Sequence, residues 1–163
     1  MAYDKRALVG VGGWLAFFII TLCLNAIATP LSALQVSAIP GTTRFGSGWT
    51  AYLALVWALS AAKLAGFAYM AWRLNARQNA STPRIVIRGL WIVAVVPALV
   101  DALGGTALLG LSANDAGRVM GSEVFRPGVY AAVWTAYLLR SERVANTYAD
   151  TDNEADSLAA VFE

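Results

Sequence analysis

The stretch IVIRGLWIVAVVPALVDALGGTALLGL, residues 85–111, decides the fold. Apart from Arg88 near its start and Asp101 in its interior it carries no charge. It reaches the ~20 apolar residues that a helix needs to cross the hydrocarbon of a bilayer. A membrane-spanning strand would alternate polar and apolar residues, and this stretch does not. Three further stretches read the same way, at about residues 8–34, 50–72 and 119–139. The first contains LVGVGGWLAFFIITLCLNAIA; the last is more polar, with Glu123, Arg126 and Pro127. The pattern predicts an all-α, integral-membrane bundle of four transmembrane helices within residues 1–148.

Composition agrees. Of 163 residues, 58% are hydrophobic and 13% charged, and the mean hydropathy is +0.58. Soluble domains carry about a quarter charged residues. The shortage here leaves too few polar groups to coat a surface facing water. A net charge of +2 does not imply nucleic acid. There is one cysteine, Cys23, and no histidine. Zinc, haem and iron–sulfur centres need clusters of those residues, so no metal or cofactor is expected. A Ser-His-Asp or Cys-His catalytic site is excluded for the same reason. Cys23, in an apolar run, reads as a small packing residue.

The first stretch has features of a signal peptide, with Lys5 and Arg6 ahead of it and Ala26-Ile27-Ala28 resembling a cleavage site. Its apolar run is long for that role, and it is read as a membrane helix. Basic residues then set the orientation. Lys5 and Arg6 precede the first helix, Arg73, Arg77, Arg84 and Arg88 surround the second loop, and Arg140 and Arg143 follow the fourth helix. The first loop has only Arg44 and the third only Arg118. The positive-inside rule places both termini and the second loop in the cytoplasm. Arg73, Arg77, Arg84, Arg88, Arg140 and Arg143 read as anchors to lipid phosphates. Residues 149–163, acidic and without Lys or Arg, read as a mobile cytoplasmic tail.

Charges inside spans are costly and mark a partner, a cavity or a function. At 1.5 Å per residue, Lys63 falls roughly 3 Å to the cytoplasmic side of the midplane, and Asp101 roughly 4–5 Å to the outer side, level with Arg126. An Asp101–Arg126 ion pair with Lys63 nearby is expected. Three meanings are open: a clamp that fixes helix register, a charged site for an ion, a proton or a small anion, or snorkelling of Lys63 or Arg126 alone to the interface. Asn25 is a hydrogen-bonding partner for this cluster or for a neighbouring helix. Pro97, one turn before Asp101, is expected to kink its helix. Ala58, Ala62 and Gly66, with Ala61 and Ala65, form small-residue stripes that allow close helix contact. Trp49 and Trp72 bracket the second helix as interfacial anchors.

Other residues resemble a known family. Gly12-Gly13-Trp14-Leu15 opens the first helix, Pro30 follows near its outer end, and Arg73 and Pro83 flank the inner loop. The chain closes with Trp134-x-x-Tyr137-x-x-x-Ser141-x-Arg143-Val144-x-x-Thr147-Tyr148. This resembles the DUF2569 family of small bacterial membrane proteins, whose typical ending is tryptophan, tyrosine, then S-K-R-V-x-x-T-F. Glu142 stands where the family has a basic residue, Tyr148 replaces phenylalanine, and Ala136 stands where proline is common. The resemblance implies a four-helix bacterial inner-membrane protein and no particular activity. With no catalytic constellation and short loops, the leading functional expectation is non-enzymatic: an accessory or structural subunit of a larger membrane complex. Its partners would be lipids and another membrane protein or further copies of itself. The alternative is a small oligomeric transporter or channel-like protein using Asp101, Arg126 and Lys63.

Overall fold

A computed structural model describes residues 10–41, 45–77, 79–110 and 112–148. Lys5, Arg6, Arg44 and the acidic segment 149–163 lie outside the described residues, as do the side chains of Arg118 and Glu123. Among the described residues the regular structure is entirely α-helical. Four long helices, α1 (Trp14–Ser37), α2 (Ser47–Ala76), α3 (Ser81–Leu109) and α4 (Ala113–Arg140), precede a short α5 (Glu142–Thr147).

Local sequence explains the element ends. α3 stops at Gly110, whose φ of 64° gives the left-handed cap that releases a helix into a turn. α5 starts at Ser141, whose side chain accepts a hydrogen bond from the Val144 N–H. Pro30, Pro97 and Pro127 lie inside long helices. α3 continues through Pro97 as one helix of 29 residues. The freed carbonyls are tolerated because membrane helices re-satisfy them locally.

Sequential neighbours pack closely: α1 on α2, α2 on α3, and α3 on α4. Gly66 makes the α2–α3 contact possible, since a Cβ there would lie 2.5 Å from Val93 Cγ2. The neighbouring small residues do not share in it. Ala58, Ala61, Ala62 and Ala65 are exposed, so the expected stripe faces out of the bundle, and only its glycine meets a helix. α1 and α4 meet through rings rather than through close backbones. Phe18 and Trp134 stack with centroids 4.4 Å apart.

The outward faces are apolar. Leu103 is 62% exposed, and Leu24, Ile27, Leu31 and Ile92 are exposed with it. A surface of this kind exceeds the apolar patches that a protein keeps in water. Three helices, α1, α2 and α3, are long and apolar enough to cross a membrane. The chain is thus built for lipid. α4 has the length, 28 residues, but is the more polar and amphipathic of the four. Cys23 is exposed on the outside of α1 and does not pack inside the chain. Trp49 is also placed differently from expectation. It is 5% exposed, lies on Gly41 and stacks on Phe45, whereas Trp72 faces outward.

The interior is divided lengthwise. Toward the chain termini, Leu15, Phe18, Leu22, Met70, Leu74, Val86, Leu90, Trp134 and Leu138 form one continuous apolar core. Toward the α1–α2 and α3–α4 loops, the same four helices enclose a polar hollow.

Candidate functional site

The hollow has a volume of about 710 Å³, within the range of about 300–1,000 Å³ for small-molecule sites. Each long helix contributes polar residues, α3 only one. On α1, Asn25, Thr29 and Ser32 stand at i, i+4 and i+7, so they share one face. On α2, Tyr52, Ser60 and Lys63 face inward, with Phe67 below them where the apolar core begins. α3 supplies Val93, Ala94 and Asp101; α4 supplies Arg126, Pro127 and Tyr130. Val93 is the residue whose carbonyl loses its helical donor at Pro97.

Lys63, Asp101 and Arg126, which the sequence singled out, therefore line one cavity from three helices. Their pairing differs from expectation. Asp101 Oδ1 is buried and has no hydrogen-bond partner, so neither Arg126 nor Lys63 donates to it. Arg126 is exposed at its helix surface, while Lys63 and Asp101 are half-buried. The uncharged polar groups are tied down: Tyr130 Oη lies 3.0 Å from Thr21 Oγ1, and Asn25 Nδ2 donates to the Thr21 carbonyl at 2.7 Å. Thr29 Oγ1 donates to the Asn25 carbonyl at 2.6 Å. Two cations, one carboxylate and several hydroxyls suit an organic solute. A divalent cation would be repelled by Lys63 and Arg126.

The motif residues gather elsewhere, at the terminal end of the bundle. Thr147 Oγ1 accepts from the Gly10 N–H at 3.0 Å. The Arg143 guanidinium lies against Gly12, where a Cβ would come within 2.7 Å of Nη1. Trp134 stacks on Phe18 and meets Tyr137 edge-on at 5.7 Å. Trp14 is exposed and meets Phe17 edge-on at 5.7 Å. The Tyr148 hydroxyl donates to the Leu74 carbonyl at 2.6 Å. Burial pushes the Tyr148 phenol up to about 12, with Tyr137 adding to the shift. These contacts fasten α5 beneath the bundle and join it to the Gly10–Gly12 segment.

The remaining arginines surround that end. Arg73 donates to Tyr69 Oη at 3.0 Å and reaches Ser81 Oγ at 3.5 Å. Arg77 lies over the Trp72 ring at 5.7 Å. Arg84, Arg88 and Arg140 are exposed. Arg143, half-buried against Gly12, is placed as part of the fastening.

Sequence reasoning missed Tyr130, Tyr52, Ser60, Thr29 and Ser32. A signal was present for the α1 group: polar residues at helical spacing in an otherwise apolar span mark a face turned from lipid. The α4 residue Tyr130 gave none, because α4 is too mixed for one polar position to stand out.

Neither the curated proteins nor the solved structures contain a match to this sequence. One family model matches residues 8–149, covering the helices, the hollow and both halves of the terminal fastening. The chain belongs to that family, described as protein of unknown function (DUF2569).

Proposed function

We propose that this is a four-span, non-enzymatic protein of a bacterial inner membrane that admits a small polar solute into the hollow from the side opposite its termini. α4 is the fourth span in this scheme, with its polar face turned to the cavity. Both termini and the arginine-rich end lie in the cytoplasm. The observation that carries the reading is the state of Asp101. A register clamp would pair its buried carboxylate, yet Oδ1 is unpartnered beside two cations in a polar cavity. Buried ionisable groups of this kind in spans line solute pathways.

The test is chemical access. Ser60 is buried on the cavity wall. Ser60→Cys in a Cys23→Ala background should react with a small, membrane-impermeant thiol reagent added from the periplasmic face. Absence of reaction from both faces removes the solute pathway.

A second reading, the accessory subunit, is favoured by a separate feature. An apolar groove of about 460 Å³ runs between α1 and α4, lined by Trp14, Phe17, Tyr130, Val133, Trp134 and Tyr137. Such a groove suits a partner's transmembrane helix. Gentle extraction, sizing and mass spectrometry test it: a stoichiometric larger assembly supports a subunit role, and a chain running alone opposes it.

A further inference from the structure

We infer that the hollow takes a small zwitterion, an amino-acid-like molecule with its ammonium group on Asp101 and its acidic group on Lys63 and Arg126. This rests on the hollow being a solute site, and goes beyond it in naming the solute's chemistry.

The helix register gives the spacing. Gly66 of α2 faces Val93 of α3, and Gly104 of α3 faces Leu55 of α2. From 93 to 104 and from 66 to 55 are equal steps, so the two contacts describe one register. Asp101 then lies level with position 58 of α2, five residues outward of Lys63. At 1.5 Å per residue the two Cα atoms are about 7–8 Å apart along the axis. The side chains approach across that interval. A helical Cβ tilts toward its own N-terminus. α2 and α3 run in opposite directions, so Lys63 leans outward and Asp101 leans inward. They face one another along the cavity wall, and Lys63 still does not donate to Asp101 Oδ1.

The donor set then selects the occupant. An ionised carboxylate only accepts hydrogen bonds; Lys and Arg only donate them. The buried Asp101 oxygen therefore calls for a donor, and a cationic one binds it most strongly. Lys63 and Arg126 call for an acceptor, and an anionic one binds them most strongly. A simple anion leaves Asp101 unmatched, and a simple amine is repelled by the two cations. A molecule carrying both groups a few bonds apart satisfies all three residues. Asn25, Ser32 and Ser60 on the walls supply uncharged hydrogen-bonding groups for the rest of it.

The full chain in phosphatidylcholine nanodiscs, followed by thermal unfolding, tests the assignment with four probes at millimolar concentration: L-alanine, 4-aminobutanoate, butanoate and butylamine. At least one of the two zwitterions should raise the unfolding midpoint by several degrees; butanoate and butylamine should not. Asp101→Asn and Lys63→Gln, each confirmed as folded by size-exclusion chromatography, should weaken that zwitterion's binding about tenfold or more. Butanoate or butylamine acting as well as the zwitterions overturns the zwitterion and leaves the solute site standing. No shift with any probe, while Ser60→Cys reacts with the thiol reagent, does the same. No shift together with an unreactive Ser60→Cys removes the site itself.

Discussion

Thr147 Oγ1 receives the Gly10 N–H at 3.0 Å and lies 3.4 Å from the Gly10 carbonyl, joining positions 137 residues apart. Thr147, 6% exposed, is shielded from water, and Gly10 is half-buried. Thr147→Val keeps the shape and removes both bonds. It should lower stability by about 1 kcal/mol in detergent unfolding, and Thr147→Ser should recover most of the loss.

Trp134 is the largest side chain between α1 and α4, stacked on Phe18 and edge-on to Tyr137. Trp134→Ala leaves a void that the rigid neighbours cannot fill. The expected loss is about 3 kcal/mol, seen as a lower unfolding midpoint and faster proteolysis.

Tyr148 gives a pH dependence at the alkaline end. Its phenol sits near 10 when unfolded and is pushed up to about 12 by burial in the fold. The folded chain thus favours the protonated, hydrogen-bonding form. That stabilisation is complete below about pH 10 and disappears as pH rises through 12. Unfolding midpoints should hold from pH 7 to 9.5 and fall above 10. Tyr148→Phe should start lower and fall less.

Asp101→Asn separates the clamp from the solute site by stability alone. Breaking a paired buried charge orphans its partner and costs about 3–5 kcal/mol. Asp101 Oδ1 has no partner to orphan. The variant should express and unfold as the parent does; a marked fall in midpoint would restore the clamp.

Gly66→Val should damage the α2–α3 contact. A Cβ at 66 already meets Val93 Cγ2 at 2.5 Å and Cγ1 at 3.0 Å, and the β-branched Val93 has little rotamer freedom in a helix. The expected loss is about 1–3 kcal/mol, while Ala62→Val, on the exposed face, should be neutral.

The long apolar runs were legible because span length is set by the bilayer, and three of the four long helices are long and apolar enough to cross it, although the first begins at Trp14 and the third ends at Leu109, short of the expected limits. The convergence of Lys63, Asp101 and Arg126 was also legible, since depth follows from counting residues along antiparallel helices. Their failure to pair was not. That depends on how each side chain is placed around the hollow, which residue counting leaves open. Trp49 misled for a related reason. A tryptophan at a span end reads as a lipid anchor, but Gly41 leaves room for its ring to fold inward. The small stripe on α2 misled because alanine packs equally well against a helix or against lipid. The resemblance pointed to the motif residues without saying what they do. Only their placement reveals that Gly10–Gly12 and Arg143–Tyr148 form a single fastening.

That fastening has a mechanical consequence. With α1 and α4 tied together at one end and separated by a hollow at the other, the pair resembles a clothes-peg with its spring beside the termini. Bending stress applied at the far loops meets first the Tyr130–Thr21 hydrogen bond at 3.0 Å and then the aromatic stack around Trp134. Displacement is smallest at the fastened end and grows with distance from it. The two halves of the interior thus differ in what holds them, packed rings at one end and hydrogen bonds around a hollow at the other.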